Sequence, residues 1–136
     1  MTPSSAQGAC LCGAVRFSAA LPAKWFALCH CSTSRRAHGA AFVTWVGFVA
    51  DRVTIADDGG ALRWSTSSPG AGRACCSRCG SPMSFRSERR PDELHIARAL
   101  FSDAPDMTPT VHVFYETHVS WASVDDALPK KRSQGS

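Results

Sequence analysis

The sequence predicts a mainly β fold of short antiparallel strands joined by cysteine-bearing turns. Three observations carry that expectation. Short runs rich in β-branched or aromatic residues lie between turn signals, no long helical period competes with them, and cysteines recur in close pairs, two of them followed by glycine. The 136 residues, 44% of them hydrophobic, are expected to form one domain over 1–136, with its core at about 8–129 and both ends flexible.

Taken in order, strands are expected at 15–18, 25–28, 41–46, 52–55, 62–65, 82–85, 94–97 and 111–115. Asp57, Asp58, Gly59 and Gly60, then Ser67, Ser68, Pro69 and Gly70, then Ser81 and Pro82, punctuate them as turns. Asp103, Ala104 and Pro105 mark a loop. Short helical turns are expected from Cys31 through Arg35 to His38, and again over 124–128.

Charge excludes some functions. The formal net charge of +4 is mild, and the dense basic run Lys130, Lys131, Arg132 reads as a solvated tail. No strand face combines aromatic and basic residues as a nucleic-acid platform would, so no nucleic-acid partner is expected. The first residues carry neither a basic start nor an apolar run, and no stretch of about 18 apolar residues occurs, so a cytoplasmic protein without a membrane partner is expected.

Seven cysteines are an odd number, which fits poorly with a closed disulfide framework and favours metal binding or thiol chemistry. They fall into three groups: Cys10 and Cys12; Cys29 and Cys31; Cys75, Cys76 and Cys79. Gly13 follows Cys12 and Gly80 follows Cys79, and glycine permits the tight positive-φ turn that turns backbone amides toward thiolates. Zinc ribbons present sulfur pairs this way, and two pairs complete a closed tetrahedral site. Cys76 and Cys79, with Cys10 and Cys12, are the expected metal ligands. Cys75 alternates to the opposite strand face and is read as a small buried hydrophobe.

The ordered segments GACLCGAVRF, CHCSTSRRAHG, SSPGAGRACCSRCGSPMSF, PTVHVF and WASVDDALP resemble the glutathione-dependent formaldehyde-activating enzyme family, which includes centromere protein V. The resemblance spans roughly residues 8–129. It implies an Mss4-like fold with two zinc sites, the first structural and built from Cys10, Cys12, Cys76 and Cys79. The second, catalytic in the family, uses a C-x-C-x-x-C motif that here reads Cys29, Cys31, Ser34.

The implied activity joins formaldehyde to the thiol of glutathione, and its reverse is a carbon–sulfur lyase reaction. An open zinc site could polarise the aldehyde oxygen or hold the thiol as thiolate. Arg35 and Arg36 are candidates for the carboxylates of glutathione, beside the alternative of a solvated turn. His112 matches the histidine of a late P-x-x-H motif and is a candidate to line the site, beside the alternative of a buried, hydrogen-bonded strand histidine. Ser67, Ser68 and Arg73 match the family's SSPG and the arginine after it, which suits a wall of the cleft as well as a plain turn.

Ser34 supplies a neutral hydroxyl where the family pattern has a thiolate, so the second zinc is in doubt. His30, His38, His95, His112 and His118 are the imidazoles available to replace the missing sulfur, of which His95 and His118 have no special claim; Ser34 itself or the thiol of glutathione are further candidates. Two functions follow: a carbon–sulfur lyase-like enzyme with a degraded catalytic site, or a non-catalytic module with one structural zinc that binds a thiol or a protein partner.

Overall fold

The computed structural model describes residues 4–102 and 107–132. Among them lie ten strands and one α-helix: β1 (Ser5–Ala9), β2 (Arg16–Ala20), β3 (Trp25–Cys29), α1 (Ser32–His38), β4 (Val43–Val49), β5 (Val53–Ala56), β6 (Leu62–Ser68), β7 (Ala71–Cys76), β8 (Pro82–Ser87), β9 (Glu93–Ala97) and β10 (Val111–Val113). They form a three-stranded sheet in the order β1-β2-β5 and a seven-stranded sheet in the order β10-β3-β4-β9-β8-β7-β6. The fold is mainly β, as expected. Pairing is antiparallel throughout except where β10 runs parallel to β3.

Strand alternation divides the interior in two. On β4, Val46 and Phe48 point into a core shared with Phe17 and Ala19 of β2, Met83 of β8 and Ile96 of β9. Phe48 is 1% exposed, so truncating it to alanine would cost about 3–5 kcal/mol. Val43 and Trp45, on the other face of β4, join Ala27, Cys29, Ala97 and Val113 in a second cluster. Between them Gly47 leaves the space taken by the Trp25 indole, since a Cβ there would meet indole atoms at 2.2 Å. That second face carries the candidate active site.

Two strands escape the sequence reading. In β1, SAQGA has no β-branched or aromatic residue, yet it pairs along its full length with β2, from Ser5↔Ala20 to Ala9↔Arg16. In β7, the small residues of AGRACC are held from both sides by β6 and β8. Pairing on neighbouring strands overrides weak local propensity in both. The helical turn expected over 124–128 does not form. There the Asp126 carboxylate accepts from the Leu128 amide at 3.0 Å, and the following chain pairs with β10 through His112 N to Pro129 O and Lys131 N to His112 O, both 2.8 Å. The loop expected at Asp103, Ala104 and Pro105 lies outside the described residues, as do 1–3 and 133–136. No helix among the described residues is long and apolar enough to cross a membrane.

Candidate metal centre and candidate active site

The turn after β1 and the turn after β7 bring four cysteines together. The sulfurs of Cys10, Cys12, Cys76 and Cys79 all lie within 4.8 Å of one another. Cys10 and Cys12 are 3.7 Å apart, Cys12 and Cys76 3.8 Å. Thiolates at the corners of a tetrahedron about 2.3 Å from a zinc ion would be separated by roughly 3.8 Å, so the donor set and the spacing both fit. Gly13 and Gly80 adopt φ of 80° and 81°, and their amides close the turns on Cys10 O and Cys76 O at 3.1 and 2.7 Å. Ser81 links the two turns, accepting from the Leu11 amide at 2.9 Å and lying 3.2 Å from Cys79 Sγ. Its hydroxyl and amide draw the Cys79 thiol down to about 5. Cys75 stays outside this group and is half-buried rather than buried.

The second constellation is built where β3 runs into α1. Cys31 is the N-cap of α1, its sulfur accepting from the Ser34 amide, and Gly39 ends the helix with φ 60° and an N–H bond to Arg35 O. One helical turn therefore carries Ser34 back over the sulfurs. Cys29 and Cys31 lie 3.4 Å apart, with Ser34 Oγ 3.7 and 3.1 Å from them. Cys29, followed by the hydroxyls of Ser34 and Thr33, outweighs burial and holds the Cys31 thiol down at about 4. The same contact pushes the Cys29 thiol up, so Cys31 is the thiolate of the pair.

Ser34 is 2% exposed. Trp45 Nε1 donates to its oxygen at 3.5 Å and Arg73 Nη2 at 3.2 Å. Arg73 Nη2 also donates to Thr33 Oγ1 at 3.2 Å. This trio thus offers two sulfur donors and an oxygen already engaged by a cation, a set that does not fit a resident catalytic zinc. Among the described residues, only the four-cysteine group gathers three or more metal-donating side chains.

The histidines do not replace the missing sulfur. His30 Nε2 pairs with His112 Nδ1 at 2.8 Å, and His112 Nε2 with Asp126 Oδ2 at 3.0 Å. Burial pushes His30 down to about 4. His38 packs edge-on against Trp45 at 5.1 Å. His112, a candidate for the substrate, does not line the cavity; it is the buried, hydrogen-bonded strand histidine of the alternative reading. Arg35 and Arg36 do not line it either, and Arg35 Nε instead donates to His30 O at 3.3 Å.

The cavity above the sulfur pair has a volume of about 460 Å³. Trp25, Trp45, Phe85 and Phe114 are among its walls, Cys29, Cys31 and Ser34 line it, and its cations are Arg73, Arg89, Arg90 and Lys131. No carboxylate is among the described lining residues. His95 also lines it, its ring fixed by Glu93 at 2.8 Å. Burial opposes the charge on Glu93, yet Lys24, His95 and Trp25 hold its carboxyl at about 2. Sequence reasoning missed Glu93, Arg89, Arg90 and Lys131 as neighbours of this site, and gave His95 no special claim to it. Strand alternation puts His95 on the Trp25 side of β9, but nothing in the local pattern tells which side holds a cavity.

The profile of the glutathione-dependent formaldehyde-activating enzyme family matches residues 5–117. A protein of Halomonas elongata named "Putative glutathione-dependent formaldehyde-activating enzyme" is 32% identical over 130 residues, covering 88% of this chain and 80% of that protein. A crystal structure of a Rhodobacter sphaeroides protein superposes with a TM-score of 0.62 at 18% identity, covering 91% of this chain and 98% of that one. At that identity the superposition speaks for the fold alone.

Proposed function

The chain belongs to the glutathione-dependent formaldehyde-activating enzyme family, and from that premise we propose that it joins the thiol of glutathione to formaldehyde or a related small aldehyde. The observation that carries the reading is a cavity with a sulfur pair, aromatic walls and four cations but no carboxylate among its described lining residues. Such a cavity suits a small anionic thiol. We assign the two carboxylates of glutathione to Arg89, Arg90 and Lys131 at the cavity wall.

In the forward direction the thiol sulfur attacks the carbonyl carbon and a C–S bond forms. The carbonyl π pair becomes a lone pair on oxygen, and the thiol proton ends on that oxygen. The reverse step cleaves the C–S bond, which makes the activity that of a carbon–sulfur lyase, and neither direction consumes an oxidant or reductant. Cys31, held as thiolate, is the acceptor toward which the incoming S–H is oriented. Positioning two small reactants in one cavity supplies the rate.

At the four-cysteine centre we assign zinc. When bound there it supplies folding energy rather than reaction chemistry, because sulfur fills all four positions. All seven cysteines are free thiols, a state that a reducing cytoplasm preserves.

Ser34 favours one second reading, a module that binds the thiol without turning it over. Exchange NMR on glutathione and labelled formaldehyde separates the two. The enzyme is expected to speed interconversion of free and hydroxymethylated glutathione by about tenfold or more over buffer. A rate equal to buffer, with glutathione still bound, would leave the binding module.

A further inference from the structure

The sulfur pair has a cation beside it that is only partly used. Arg73 lies on β7, with its guanidinium 4.8 Å over the Phe85 ring and Nη2 bonded to Ser34 and Thr33. Its Nε and Nη1 are buried and have no hydrogen-bond partner among the described residues. Buried guanidinium nitrogens without partners are costly, and no carboxylate is among the described residues that line the cavity. Phe85 and Ser34 hold the guanidinium at the wall of the cavity that Arg73 lines. The open need is for an oxygen anion.

We propose that Arg73 stands where a second metal would, and that its guanidinium receives the oxygen anion formed on the sulfur-bound carbon of the adduct. The proposal rests on the function given above and deepens it. As the substrate sulfur adds to the carbonyl carbon, charge moves to the oxygen, and Arg73 binds it until the thiol proton arrives there. In the reverse direction the same contact holds the oxygen as the C–S bond breaks and its pair returns to sulfur. Ser34 is then part of the device: it anchors Nη2, its oxygen accepting from Arg73 and Trp45.

Two stable ligands test this without turnover. S-carboxymethylglutathione carries an anion on the sulfur-bound carbon, and S-methylglutathione lacks it; both keep the carboxylates of glutathione. Quenching of Trp25 and Trp45 fluorescence reads their binding. The wild-type protein is expected to prefer the carboxymethyl ligand by about 10- to 100-fold. Arg73→Met should abolish the preference while S-methylglutathione binds as before, and Arg73→Lys should restore part of it. An equal loss for both ligands in Arg73→Met would assign Arg73 to a carboxylate of glutathione and overturn the proposal, as would a preference that survives the substitution. Failure of both ligands to bind the wild type overturns it together with the function. The selective pattern without accelerated exchange by NMR would overturn the function alone.

Discussion

At Ser34 a single atom decides the donor set. Its oxygen sits 3.1 and 3.7 Å from the two sulfurs, close enough to complete a metal triangle, but it is neutral and already accepts from Trp45 and Arg73. A thiolate in its place would restore a third anionic soft donor. Ser34→Cys is therefore expected to raise the zinc content from about one to about two per chain, read by elemental analysis of protein purified without chelator. A content unchanged by the substitution would mean that something other than this position limits the second site.

Among the elements, β4 does most to shape the cavity. Its Val43, Trp45 and Gly47 face one way and its Val46 and Phe48 the other, so one strand serves two clusters. Gly47 is the position where backbone must be bare for Trp25 to lie flat against it. Gly47→Val is expected to push the indole off and cost about 1–3 kcal/mol of stability, with a shifted tryptophan emission. Thermal unfolding and fluorescence check both; an unchanged melting temperature with native emission would mean that the indole has room elsewhere. The helix α1 is the second shaping element. Cys31 and Gly39 fix its two ends, and its length brings Ser34 back to the sulfurs.

Across the molecule, the four-cysteine centre ties the two sheets to each other. Cys10 and Cys12 follow β1 of the three-stranded sheet, and Cys76 ends β7 of the seven-stranded one. A structural zinc contributes an apparent 10–16 kcal/mol or so, comparable with the whole stability of a domain, about 5–15 kcal/mol. Cys76→Ala, and chelation of the wild type, are expected to unfold the chain, as followed by circular dichroism. A zinc-free protein with native β signal would refute a structural role for the metal.

The sequence alone determined what depends on neighbours along the chain. Glycine after cysteine made the knuckles recognisable, β-branched and aromatic runs marked most of the strands, and CHCSTSRRAHG encoded a capped helical turn, because turns, caps and alternation are set by residues a few positions apart. Only the tertiary structure decided what depends on chain segments that are far apart. Pairing drew β1 and β7 into strands from small residues. Strand order set Arg73 of β7 against Ser34 of α1, 39 residues away in sequence. It placed Arg89, Arg90 and Lys131 at the cavity in place of Arg35 and Arg36. It turned His112 inward to His30 and Asp126. A charge finds its partner through space, and local sequence carries no record of which distant strand lies beside it.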